Sequence, residues 1–137
     1  MFILDTNVIS ELRHGKLNQS PRVRAWAAAQ PAGRLFLSAI SILELEKGIL
    51  ALEHSAPPQD SALRTWLIGI RAAFAGRILP FTEHTATLCA SLCVPNTRSE
   101  RDAMIAATAI EHRFAVVTRN VPDFRNMGIQ IHNPWLV

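Results

Sequence analysis

Acidic residues stand beside apolar segments at three places in this 137-residue sequence. Asp5 follows the run Phe2-Ile3-Leu4. Asp102 opens an apolar helical segment, and Asp123 comes shortly after the run Ala115-Val116-Val117. Carboxylates that met at one place would repel one another unless a cation bound between them. Oxygen ligands without an accompanying Cys or His set favour Mg²⁺ or Mn²⁺ over Zn²⁺, and such ions can hydrolyse phosphodiesters by activating water.

The first seven residues predict a strand, an acid and a helix in that order. Phe2-Ile3-Leu4 suits a strand buried on both faces, as in a parallel sheet. Asp5 would then lie at the carboxyl end of a central strand, which is where open α/β sheets bind ligands. Thr6 and Asn7 are cap and turn residues, and apolar residues recur at helical spacing over 8–12. The alternative is that Asp5 only caps this helix.

A second acidic segment is predicted to be helical from Ser41 to Leu52. Ser41 and Glu44 match a capping box, which would give Glu44 a purely structural role. Helical phase does not favour Glu44 over Glu46 as a site residue, because Glu46 lies nearer the middle of the apolar arc. The sequence pattern alone therefore leaves the choice between the two glutamates open.

Asp102 lies in the first turn of a third predicted helix. Ser99 is a good N-cap, and Asp102 could complete a variant capping box or interact with the helix dipole. The segment 103–109 is apolar nearly all round, apart from Thr108. Such a helix is buried, so we expect its acid at the rim of a core.

These segments, taken in order, resemble the motifs of the PIN-domain nucleases, and in particular the VapC toxins of bacterial toxin–antitoxin pairs. The four motifs are Asp5-Thr6-Asn7, Glu44-Leu45-Glu46-Lys47-Gly48, Asp102 to Ala109, and Thr118 to Asp123. Each motif is weak alone, but the ordered set is specific and covers nearly the whole chain. The resemblance selects Glu44 over Glu46, because Glu44 matches the glutamate of the family's second motif.

Alternating strands and helices predict an α/β fold with a parallel sheet, right-handed crossovers and helices on both faces. The resemblance implies a single PIN-like domain over residues 1–137, with about five short strands and the first strand in the middle. Asp5 and the loop 118–123 would then follow adjacent strands at one edge of the sheet. The start of the Asp102 helix would border that edge.

The resemblance also implies the site and its chemistry, a metal-dependent ribonuclease that hydrolyses RNA phosphodiesters. Asp5 and Asp102 are the first-choice ligands for Mg²⁺ or Mn²⁺, and Glu44 and Asp123 would complete the catalytic cluster. Three further residues would support the ligands or water, namely Thr6, Thr118 and Asn120. Arg119 is a candidate for substrate phosphate, although an exposed structural arginine is an equal alternative.

Charge and composition favour a polyanionic partner such as RNA. The chain has 14 basic and 11 acidic residues and a net charge of +3, so setting the four acids aside in a metal site leaves the remainder strongly basic. All the basic residues except Lys16 and Lys47 are arginines, which bind phosphate bidentately. Simple solubility is the alternative explanation. Cys89 and Cys93 are expected to be small buried residues in a reducing compartment rather than metal ligands.

The segments also predict location and assembly. No apolar run approaches about 20 residues and no signal peptide is evident, so we expect a cytoplasmic protein without a membrane span. The resemblance implies a homodimer and a cognate VapB-like antitoxin. Two apolar stripes are expected to exceed what a small sheet can cover: Ile42, Leu45, Ile49 and Leu52, and Leu63, Trp66, Leu67 and Ile70.

Two other functions remain open at this stage. A catalytically silent RNA-binding domain would not need to concentrate negative charge. An α/β phosphotransferase with Asp5 as nucleophile would want a second acid two residues on, where Asn7 stands.

Overall fold

A parallel β-sheet forms the centre of the molecule. The computed structural model describes residues 1–55 and 62–136, and these residues contain five strands. The strands are β1 Phe2–Leu4, β2 Leu35–Ser38, β3 Ile78–Leu79, β4 Ala115–Val117 and β5 Ile131–His132. Their order across the sheet is β3-β2-β1-β4-β5, with every neighbouring pair parallel. The predicted α/β class, with the first strand in the middle, is confirmed.

Helices connect successive strands along most of the described chain. They are α1 Thr6–Glu11, α2 Pro21–Ala29, α3 Ala39–Ser55, α4 Ala62–Ala73, α5 Glu83–Cys93, α6 Glu100–His112 and α7 Val121–Phe124, with short 3-10 helices at Ala32–Arg34 and Pro134–Leu136. Local signals set several of their starts. Ser20 caps α2, which has Pro21 at its first position, and Thr82 with Thr85 forms a capping box at α5. Within the described residues, none of the helices combines the length and apolar character that crossing a membrane requires.

The register of the central strands brings two predicted site segments together. Leu4 of β1 is opposite Val117 of β4, so Asp5 and Thr118 follow adjacent strands at the same edge. The Asp5 amide donates to the Val117 carbonyl at 2.9 Å, which extends the pairing one residue beyond β1. The prediction that Asp5 and the segment after β4 share one sheet edge is therefore confirmed.

Hydrophobic cores cover the two faces of the sheet. Leu4 packs in the core formed with α1 to α4, whereas Ile3 packs in the core formed with α6 and α7, as alternation along a strand requires. Nearly all of the two predicted stripes pack in the first core: Ile42, Leu45, Ile49, Leu63, Trp66, Leu67 and Ile70. The prediction that these stripes exceed what the sheet can cover is therefore wrong, apart from the exposed Leu52. The homodimer stays a prediction.

Three local predictions need comment. Helix α3 begins at Ala39 rather than Ser41, so Ser41 lies inside the helix and cannot be its N-cap. The Ser38 hydroxyl instead accepts a hydrogen bond from the Ser41 amide at 3.2 Å. Asp123 lies in the short helix α7, where a loop was predicted. Cys89 is buried as expected, whereas Cys93 is only partly buried. Burial raises the pKa of the Cys89 thiol.

Candidate active site

Asp5 is the most firmly fixed acid of the candidate site. It is fully buried, and its Oδ1 accepts a hydrogen bond from the Thr6 amide at 2.7 Å, so it does cap α1. Its Oδ2 accepts hydrogen bonds from the Thr118 hydroxyl at 2.7 Å and from the Asn7 side-chain amide at 3.2 Å. Asp5 therefore caps α1 and also belongs to the candidate site, because its two oxygens accept hydrogen bonds from other residues besides Thr6.

Glu44 reaches the same place from α3. Its Oε1 accepts a hydrogen bond from the Thr6 hydroxyl at 2.6 Å. The Thr6 oxygen also lies 3.0 Å from the buried Ser41 hydroxyl. The Thr6 hydroxyl thus has two acceptors within reach, the Glu44 carboxylate and the Ser41 hydroxyl, of which Glu44 is the nearer.

Glu46, only two residues further along α3, points to a different part of the molecule. It pairs with Arg64 of α4 at 2.7 Å and lies 3.7 Å from Arg71. Helical residues two positions apart point in different directions. The contacts therefore decide the choice between the two glutamates that the sequence pattern left open. Glu44 lies beside Asp5, and Glu46 belongs to the α3–α4 surface.

Asp102 completes a group of three carboxylates, which we call the acid cluster: Asp5, Glu44 and Asp102. Asp102 lies in the first turn of α6 and is 9% exposed. Ser99 occupies the N-cap position, but its side chain makes no cap hydrogen bond. The hydrogen bond that Ser99 would contribute to a capping box is therefore absent. Asp102 instead contacts the acid cluster and lies at the rim of the core, as predicted.

The acid cluster converges on the guanidinium group of Arg101. Its Nη2 donates to Asp5 Oδ1, its Nε to Glu44 Oε2 at 2.6 Å, and its Nη1 to Asp102 Oδ1. Burial alone would lower the pKa of Arg101, but these carboxylates outweigh it and raise the pKa above its usual value. The Arg101 side chain is 30% exposed, so one side of the group faces solvent.

The remaining predicted residues, Asp123, Asn120 and Arg119, do not bond to the carboxylates of the acid cluster in the described part of the chain. Asp123 is exposed, and within residues 1–55 and 62–136 no hydrogen bond or ion pair joins its side chain to the acid cluster. The Asn120 amide donates to the Thr118 hydroxyl at 3.0 Å, and the Asn120 carbonyl accepts from the Asp123 amide at 3.0 Å. Arg119 is exposed, with its guanidinium 5.4 Å from the centre of the Trp135 ring. The structure thus ties the Asp123 segment to Thr118 through its backbone.

Sequence reasoning missed three side chains at this site. Arg101 was given no role, and its position directly before a predicted metal ligand is the one sequence signal that it offers. Asn7 was interpreted only as a turn residue, yet it donates to Asp5 and accepts from the Arg119 amide at 3.3 Å. Ser41 was assigned to a cap and instead contacts Thr6.

The carboxylate oxygens of the acid cluster are of the chemical type that a hard divalent cation prefers. Carboxylate oxygens from three separate elements surround a single positive group, and Mg²⁺ and Mn²⁺ prefer such oxygens. Among the described residues, however, no three His, Cys, Asp or Glu side chains are spaced to hold one metal ion together. The guanidinium stands between the carboxylates, so a metal ion could join them only after Arg101 had moved.

The fold and the site together define a class of α/β protein in which the central parallel strand ends in a buried aspartate, flanked by acids from two helices. The PIN domain family model matches residues 2–129. The chain therefore belongs to the PIN-domain family, and within it to the VapC-type proteins that the following relatives represent.

Curated relatives and solved structures match nearly the full length. The chain is 39% identical over 141 residues to VapC ribonuclease Y4jK of Sinorhizobium fredii, covering 98% of both. It is 36% identical to Toxin FitB of Neisseria gonorrhoeae, covering 98% of this chain and 99% of FitB. The structure of FitAB bound to a DNA fragment superposes with a TM-score of 0.85 at 31% identity, covering 98% of this chain and 96% of that one.

Proposed function

We propose that this protein is a metal-dependent endoribonuclease that acts as the toxin of a type II toxin–antitoxin pair. The observation that carries the proposal is the convergence of Asp5, Glu44 and Asp102 on one cationic group at the carboxyl edge of the sheet. The names of the relatives support the same activity, because they include a VapC ribonuclease and a toxin.

The acid cluster would hold Mg²⁺ or Mn²⁺, which supplies an activated water and neutralises charge at the RNA phosphate. Asp5 is suited to be the fixed ligand, because Thr118 and Asn7 hold its outer oxygen and the Thr6 amide holds the other. Thr6 also orients Glu44. The exposed Asp123 would approach from α7 to complete the set, with Asn120 and Thr118 tying that segment to the site.

The partner and the assembly are part of the proposal. FitAB, whose structure superposes well on this chain, is bound to a DNA fragment in that structure. We infer a small VapB-like antitoxin for this chain, together with a homodimer that joins two arginine-bearing surfaces into a longer RNA track. Exposed apolar residues on α3 and α4 offer surface for such contacts: Leu43, Leu50, Leu52 and Ile68. A cytoplasmic location accords with an RNA substrate and stays a prediction.

The deciding experiment is incubation with total cellular RNA, with Mg²⁺ and with EDTA, followed by mapping of the new ends. The proposal expects Mg²⁺-dependent cleavage that leaves 5′-phosphate and 3′-hydroxyl ends, and toxicity on expression that Asp5→Asn relieves. Intact RNA in the presence of Mg²⁺ and folded wild-type protein would contradict it.

A second function is favoured by one observation. Because Arg101 already pairs with all three carboxylates of the acid cluster, the group could be a structural ion-pair network in a catalytically silent RNA-binding domain. RNA binding that is unaffected by metal, without cleavage, would support this alternative. The phosphotransferase is disfavoured, since it would want a second acid two residues after Asp5, where Asn7 stands.

A further inference from the structure

Arg101 differs from Arg98 and Arg77 in the kind of partner it has, and from Arg64 in that one of its carboxylate partners, Asp5, is fully buried. Arg98 donates to the backbone carbonyls of Leu92, Arg125 and Asn126, and so braces neighbouring segments. Arg77 likewise donates to backbone carbonyls. Arg101 instead directs each of its three nitrogens at a different carboxylate of the acid cluster. Its hydrogen bonds therefore partly balance the negative charge of the acid cluster and do not hold backbone segments together.

The acid cluster needs a positive charge at its centre. Asp5 is fully buried and Asp102 is 9% exposed, so neither carboxylate is well screened by water. Unpaired buried charges cost several kcal/mol each in proteins. In the metal-free protein that requirement is met by Arg101, which comes from the same helical turn as Asp102.

A divalent cation and the guanidinium cannot occupy this centre together. Both would use the same carboxylate oxygens, and their like charges would repel one another at contact distance. An arginine side chain does not lose its proton in proteins, so Arg101 can leave only by moving. Because its side chain is 30% exposed, we expect that movement to be toward solvent.

We propose that Arg101 is the resident cation of the metal-free acid cluster, and that a divalent metal ion binds by displacing it. The inference rests on the proposed function in so far as the cluster is a metal site. Arg101 then sets how much metal is needed to load the site.

Displacement lowers the apparent metal affinity in a calculable way. The apparent dissociation constant equals the intrinsic one divided by the fraction of molecules in which the site is open. If Arg101 is out of the cluster in about one molecule in ten, removing its charge should tighten metal binding about tenfold. The effect acts on metal binding itself and needs no RNA.

The experiment is calorimetric titration of the full chain with Mn²⁺ and with Mg²⁺, without RNA. Arg101→Gln removes the competing charge, and Arg113→Gln is the matched control. Arg113 is exposed, follows the far end of the same helix, and loses the same charge in the same substitution. We expect Arg101→Gln to bind metal about tenfold more tightly than wild type, and Arg113→Gln to bind like wild type.

The metal-free melting temperature gives a second, independent measurement. Arg101→Gln should melt below wild type without metal, since the acid cluster loses its counter-charge, and saturating metal should close that gap. Should Arg101→Gln fail to fold without metal, Arg101→Lys carries the same test, because a compact ammonium lacks the planar fork with which the guanidinium reaches three separate carboxylates. It should bind metal more tightly than wild type.

The outcomes separate this inference from the proposed function. Folded Arg101 variants that bind metal no more tightly than wild type would overturn the displacement model and leave the ribonuclease proposal standing. A wild-type chain and variants that all fail to bind metal would overturn both. Tighter binding by the variants, with a metal-free melting temperature that falls, supports displacement whether or not any RNA is cut.

Discussion

Two arginines gather carboxylates in this molecule, and their surroundings differ. Arg101 bridges Asp5, Glu44 and Asp102 at the edge of the sheet. Arg64 of α4 bridges two glutamates of α3, Glu46 at 2.7 Å and Glu53 at 3.0 Å. The two groups draw on the same helix, and their chemistry of pairing is the same.

The difference lies in how the carboxylates are held. In the Arg64 group the partners are 28% and 42% exposed, so water and salt screen the pairs and their net contribution is small. In the Arg101 group, Asp5 is fully buried and receives hydrogen bonds from Thr6, Asn7 and Thr118. The Arg101 group is a candidate reaction site because a buried, hydrogen-bonded carboxylate anchors it. The Arg64 group is a surface ion pair because its carboxylates are partly exposed.

The largest effect is expected from Asp5→Asn, which removes the anchor and keeps its size. Cleavage of RNA should fall at least about 100-fold, because a metal ligand is lost. The free energy of unfolding without metal should fall by about 1–3 kcal/mol, since a charge-assisted bond from Arg101 is lost while the caps remain. Gel assays and urea denaturation measure the two effects. Normal cleavage by this variant would remove the proposed mechanism.

The comparison between neighbouring glutamates gives the next largest effect. Glu44→Gln should reduce cleavage about tenfold or more, because its carboxylate lies in the acid cluster. Glu46→Gln, which makes the same change two residues away, should stay within about twofold of wild type. Initial rates at saturating Mg²⁺ test both variants side by side. Equal losses in the two would show that the Arg101 and Arg64 groups are not functionally distinct.

Asp123→Asn is expected to have a moderate effect. Asp123 is exposed and lies outside the acid cluster, so only its approach to bound metal would make it part of the site. Cleavage should fall about three- to tenfold, and stability should stay within about 0.5 kcal/mol of wild type. Glu83→Gln, an exposed acid in the first turn of α5, is the control. A full-rate Asp123→Asn would restrict the site to the three carboxylates.

The smallest effect is a pH-dependent one in the Arg64 group. The hydrogen bond from Arg64 holds the pKa of Glu53 below its usual 4.5. A group with a lowered pKa stabilises the fold above its unfolded pKa, and that stabilisation is lost as pH falls through the folded value. Arg64→Gln should therefore melt slightly below wild type at about pH 7, and the gap should close below about pH 4.5. Melting curves across that range measure it, and a gap that widened in acid would contradict the assignment.

The sequence by itself determined the fold class and the position of the anchor. An apolar run followed by an acid predicts a buried strand and its carboxyl end, because strand burial and helix caps depend on neighbouring residues. Asp5, the start of α2 at Pro21, and the cap of α5 at Thr82 all follow from such local patterns. The order of four motifs was enough to indicate the family.

Only the tertiary structure decided which acids meet and what lies between them. Helical pattern does not favour Glu44 over Glu46, and which of them reaches the site depends on how α3 packs against α1, α4 and α6. Arg101 lies 96 positions from Asp5 and 57 from Glu44, so no local pattern could show that one guanidinium joins them. Local sequence indicates most elements, although it misplaced the start of α3. A charge cluster is a property of several elements packed together, so its counter-charge is seen only in the folded structure.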